Sequence, residues 1–151
     1  MKKFHFPLAR VMDWRRTQTR MEEAKLEQLY GEIRGLDARR AELNAERTRS
    51  ELALLAAPSV TGLQLAELDA FQRFSVAEQG RLERQQLDCR QRIAATIQVV
   101  AAKRRDVRLL ERLKDERLKA WNSELGREID AQADETYLAK WKPGAFKSTS
   151  S

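Results

Sequence analysis

The sequence predicts an all-α protein, a long two-helix antiparallel coiled-coil hairpin. Three observations predict it. The three prolines stand at positions 7, 58 and 143, so two uninterrupted segments lie between them. Charged residues make up 34% of the 151 residues and aromatics only 7%, too few large apolar groups for an ordinary globular core. Apolar residues also recur at steps of three and four, the spacing that keeps them on one side of a helix.

The first seven residues read as a lead-in, with Phe4 and Phe6 alternating before Pro7. Proline is tolerated in a helix's first turn and disfavours helix at the residue before it, so helix 1 is expected over about 8–57. From Leu26 onward a heptad emerges through Leu29, Ile33, Leu36, Arg40, Leu43, Arg47, Ser50 and Leu54. At its polar positions the arginine stems are expected to lie along the seam with their heads in water. Leu8, Val11, Met12 and Met21 suggest a different phase, which predicts a stutter near residues 20–25. Gly31 and Gly35 lie one turn apart. Local flexibility is favoured there over close approach of a partner helix.

Ser59-Val60-Thr61-Gly62, after Pro58, forms the one convincing break, so the turn is placed at 58–62. Thr61 followed by Gln64 fits a capping box, in which each end of the motif satisfies an orphan amide of the other. Helix 2 is then expected over about 63–141, with a flexible tail at 142–151. Within it, Val107 to Trp141 carries an apolar stripe of Val107, Leu110, Leu118, Trp121, Leu125 and Ile129. Opposite charges stand at helical neighbour spacing beside it, as in Glu111 with Lys114 and Asp115 with Lys119. The whole is read as a single domain, 1–151.

The arms are unequal, roughly 75 Å against roughly 120 Å at about 1.5 Å per helical residue. With the turn at 58–62, Leu8 pairs near Arg112, and the stripe beyond overhangs without an intramolecular partner. The alternative folds residues 63–80 back at the tip.

The net charge of +6 arises largely from scattered arginine doublets interleaved with 23 acidic residues. That pattern fits a solvated coiled-coil surface or an acidic protein partner. Without a basic run beside an aromatic platform, nucleic acid is not the expected partner. The one cysteine, Cys89, lies between Leu82 and Ile93 on the apolar stripe, where a small buried hydrophobe is expected. The one histidine, His5, cannot by itself build a catalytic or metal site. No phosphate loop, nucleophile with adjacent base or metal-ligand spacing is present, so no enzyme, cofactor, metal or small-molecule ligand is expected. The start offers no apolar signal-peptide core, and no stretch of about 18 apolar residues exists, so a cytoplasmic protein is expected.

The two ends carry a family resemblance. The opening Phe4-His-Phe-Pro-Leu-Ala-Arg-Val-Met-Asp-Trp-Arg-Arg, followed by Glu22-Glu23-Ala24, resembles the start of the FliJ family of flagellar export proteins. The run Glu111-Arg-Leu-Lys-Asp-Glu-Arg, then Trp121, Arg127-Glu128 and Asp134-Glu135, is similar to that family's C-terminal helix. Residues 40–90 carry little of it. The resemblance implies a non-enzymatic coiled coil, like the central stalk of rotary ATPases, at the inner face of the cell membrane. Its implied partners are the hexameric flagellar export ATPase, the export gate membrane protein and export chaperones. Carried over by position, the ATPase-ring contacts would be Leu8, Arg15, Arg16, Leu110, Arg112, Leu113 and Arg117. Phe71 and Phe74 would meet the export gate by their position near the turn alone, whereas the residues themselves favour packing against Leu52, Leu54 and Leu55 across the hairpin. The competing reading is a generic structural coiled-coil adaptor with no ATPase partner.

Overall fold

The computed structural model describes residues 2–141; the expected tail at 142–151 lies outside the described residues. Two helices pack against each other: α1 over Ala9–Ala56 and α2 over Gly62–Lys140, and no described residue is in a strand. By contact the chain divides into two units, Thr17–Arg104 and the pair Met1–Arg16 with Arg105–Ser151. Each helix contributes to both.

The start of α2 is the capping box. The Gln64 amide donates to Thr61 Oγ1 at 3.2 Å, and the Thr61 amide donates to Gln64 Oε1 at 3.0 Å. These two bonds satisfy amides that have no partner inside the helix, and Pro58 prevents α1 from continuing through them. At the other end of the chain, the Ala9 amide donates to the Phe6 carbonyl at 3.1 Å as the lead-in turns into α1.

The unit of residues 17–104 holds the turn and a long antiparallel pairing. Its order is set by bonds between the helices. Glu51 meets Gln72, Arg40 meets Glu83 and Gln86, Glu32 meets Arg92, and Glu23 meets Arg104. Each step forward along α1 is matched by a step back along α2. No fold-back of residues 63–80 occurs.

Burial along α1 follows one unbroken heptad. Met12, Thr19, Leu26, Ile33, Arg40, Arg47 and Leu54 recur every seven residues, and Arg15, Glu22, Leu29, Leu36, Leu43, Ser50 and Ala57 lie between them. All are buried or half-buried. The stutter expected near residues 20–25 is therefore absent. It arose because Val11 and Met21 are apolar but exposed, whereas Thr19, a polar residue, occupies the seam at 8% exposure. On α2 the matching positions are Gln72, Gln79, Gln86, Ile93, Val100 and Val107, alternating with Ser75, Leu82, Cys89, Thr96, Lys103 and Leu110.

Cys89 is fully buried, as expected of it, and its thiol donates to the Leu29 carbonyl at 3.5 Å. Gly31 and Gly35 face open space: a Cβ on Gly35 would meet nothing within 4 Å, and one on Gly31 only the Arg34 side chain. Close approach of the partner helix is not why glycine stands at either position.

Candidate functional site

The seven residues assigned to a ring contact all belong to the unit built from both termini. Leu8, Leu110 and Leu113 are half-buried, so their apolar groups are largely used within this unit. Arg15 pairs with Asp106 at 3.7 Å and lies over the Trp14 ring at 5.3 Å. Arg16 bridges Glu111 at 3.2 Å and Asp13 at 3.8 Å. Glu111 thus reaches across to α1, not along α2 to Lys114. Arg112 is exposed, and Arg117 sits 5.9 Å over the ring of Phe6. Part-exposed pairs of this kind contribute about 0–1 kcal/mol each. Their value is in orientation: they hold the basic heads in set positions along the helix sides.

The lead-in is the contribution that periodicity alone overlooked. Residues 2–7 lie along α2, with Phe6 buried and Phe4 half-buried while His5 and Pro7 point away. Phe4 meets Trp121 edge-on with ring centroids 6.1 Å apart, and Trp121 Nε1 donates to the Lys2 carbonyl at 3.3 Å. Phe6 receives the Arg117 guanidinium. The alternation of Phe4 and Phe6 before Pro7 was the available signal, since an extended segment turns every second side chain to one face.

The apolar stripe expected along Val107–Trp141 divides in two. Val107, Leu110 and Trp121 lie toward α1 or the lead-in, whereas Leu118 is 36% exposed and Lys114 takes the seam position instead. A strict seven-residue repeat selects Lys114 and Trp121, and Leu118 falls just outside it. Beyond Leu125, every described residue is exposed, including Ile129, Tyr137 and Leu138 of α2 and Trp141 just past it.

Phe71 and Phe74 lie in the other unit. Phe71 is half-buried, lining a shallow cavity of about 300 Å³ with Leu54, Ala57 and Leu68. Phe74 is 53% exposed. Of the bland contacts expected for the pair, only Leu54 shares a cavity with Phe71; Leu52 and Leu55 are exposed. Beside this cavity a second apolar groove runs between Leu54, Leu55, Val60, Leu65 and Leu68.

Among the described residues, no three or more His, Cys, Asp or Glu side chains are grouped to hold a metal ion. No described helix is long and apolar enough to cross a membrane. Comparison with protein-family models, curated proteins and solved structures returned no match.

Proposed function

We propose that this protein is a non-enzymatic component of the flagellar protein export apparatus, acting as a stalk in the hexameric export ATPase. In this role it inserts into the ring, promotes ring assembly and hydrolysis, links the ring to the export gate membrane protein, and binds export chaperones. It works in the cytoplasm, peripherally associated with the inner face of the membrane.

The observation that carries the reading is the meeting of the two segments that bear the family resemblance. Phe4, Phe6 and Arg16, from the matched opening, contact Trp121, Arg117 and Glu111, from the matched later run. A stalk needs two helices joined along their length, with charge on the sides and no bulky core, and the heptad pairing of α1 with α2 supplies this. Basic side chains held by neighbouring carboxylates suit acidic loops in a pore, where complementary charge favours encounter and register more than affinity.

The test is hydrolysis by the purified export ATPase with and without this protein. Stimulation of hydrolysis and of ring formation is expected. Arg112→Glu with Arg117→Glu should abolish stimulation and leave helicity intact. Arg112→Glu alone should reduce it, because Arg112 is exposed and its loss does not disturb the Phe6 contact. No stimulation by folded, helical wild-type protein would leave the generic coiled-coil adaptor as the surviving reading.

A further inference from the structure

The exposed end of α2 differs from the rest of the helix in both spacing and charge. A row of apolar residues there, half-buried Leu125, then Ile129, Ala133, Tyr137 and, just past the helix, Trp141, is spaced by fours, not by alternating threes and fours, and Leu138 stands beside it. Such a row advances by about 40° per step around a helix of 3.6 residues per turn, so it forms an oblique ridge instead of a straight seam. Ile129 is 55% exposed, Tyr137 59% and Trp141 64%. The Tyr137 and Trp141 rings lie side by side with centroids 6.1 Å apart, so the ridge ends in a preformed aromatic pair.

Its flanks are acidic. Between Asn122 and Trp141 five carboxylates, Glu124, Glu128, Asp130, Asp134 and Glu135, stand against Arg127 and Lys140, in a chain whose net charge is +6. By helical position Glu124 and Glu128 border one side of the ridge and Asp130 and Asp134 border the other, while Glu135 lies on the opposite face. The sign is opposite to that of the arginines proposed above for the ring.

We propose that this ridge docks a basic amphipathic helix of a partner protein. The partner's apolar residues interdigitate with the ridge, and its lysines or arginines meet the two acidic flanks. Rows spaced by four on two helices interlock at a crossing angle of about −50°, so the partner crosses α2 and does not extend the coiled coil. The aromatic pair is the anchor, since tyrosine and tryptophan concentrate binding energy at such surfaces.

Calorimetry of the full chain with two synthetic helical peptides tests this. Both peptides carry the same leucine and isoleucine face, one with lysine flanks and one with glutamate flanks. The lysine peptide is expected to bind about tenfold or more tightly than the glutamate peptide, with affinity falling as salt is raised. Ile129→Gln with Tyr137→Gln should remove binding without loss of helicity, because both side chains are exposed. Glu128→Lys, Asp130→Lys and Asp134→Lys together should reverse the preference between the peptides. Equal binding of both peptides, binding of neither, or an unchanged preference in the charge-reversed protein would overturn the proposal. So would a self-associated species in sedimentation that Ile129→Gln with Tyr137→Gln dissociates, because the occupant would then be a second copy of this chain.

Discussion

Two stretches of the same seam, both within residues 17–104, are built on opposite principles. Between Leu26 and Leu36, α1 offers Leu26, Leu29, Ile33 and Leu36, and the register sets these near Cys89, Ile93 and Val100 of α2. Between Arg40 and Ser50, the seam residues are Arg40, Leu43, Arg47 and Ser50, and their counterparts include Gln72, Ser75, Gln79, Leu82 and Gln86. The first stretch closes by excluding water from apolar groups. The second closes by hydrogen bonds. Gln86, 3% exposed, accepts from Arg40 at 3.2 Å and donates to Asp37 at 2.6 Å, while Arg40 also bridges Glu83 at 2.7 Å. Apolar contact tolerates sliding by a heptad, because leucine meets leucine in the next register as well. A buried glutamine between an arginine and an aspartate does not, since a slip leaves all three unsatisfied. The polar stretch sets which residues pair; the apolar stretch holds them together.

The largest expected effect comes from removing an apolar residue inside the polar stretch. Leu43 and Leu82 are 1% and 2% exposed, and few apolar neighbours surround them on the seam. Leu82→Ala should cost about 2–5 kcal/mol in urea unfolding. Amide exchange should show the amides of residues 40–50 and 72–86 opening first in that variant, with residues 26–36 and 89–100 still protected. Uniform loss of protection would erase the contrast between the stretches.

A smaller effect, of opposite sign, is expected at Ser75. It is 2% exposed, and its hydroxyl has no hydrogen-bond partner. An unsatisfied buried hydroxyl costs about 1–3 kcal/mol, so Ser75→Ala should stabilise the protein by roughly 1 kcal/mol after the small volume lost. An unfolding midpoint that falls would mean the hydroxyl is satisfied after all.

The smallest effect concerns Glu78, beside the polar stretch. A hydrogen bond and then the charge of Arg81, with Arg39 adding attraction, hold its carboxyl below the ordinary glutamate value, although desolvation opposes this. A lowered folded-state value means the contribution is present above the ordinary glutamate range and is lost as pH falls through the lowered midpoint. In Arg81→Ala, NMR titration should move the Glu78 midpoint up toward the ordinary value. No movement would assign the effect to another group. Because this pair is on the surface, the melting temperature should scarcely respond.

The fold was readable because its signals are local. Pro58 stops one helix and the Thr61–Gln64 box starts the next through bonds made within four residues. The seam of α1 was readable from Leu26 to Leu54, where leucines keep the heptad in phase through Arg40, Arg47 and Ser50, and unreadable at Thr19, Ser75 and Gln86, which no run of apolar neighbours brackets. The ring candidates were taken by position, and the structure finds Arg16 and Arg117 already engaged by Glu111 and Phe6, contacts between residues some ninety or more positions apart. The groove between Leu55, Val60 and Leu65 was missed because its residues come from two helices and the turn, so no single periodicity contains it.

The sequence by itself therefore determined two helices, the break between them and their antiparallel course, because helix propensity, capping and chain reversal act between near neighbours. Only the tertiary structure decided that one heptad runs unbroken from Met12 to Ala57, that Gln86 is buried between Asp37 and Arg40, and that the row from Ile129 to Trp141 is left bare. A polar residue enters a seam only when another helix brings it a partner, and an apolar row is uncovered only when no segment reaches it. Both depend on what arrives from elsewhere in the chain.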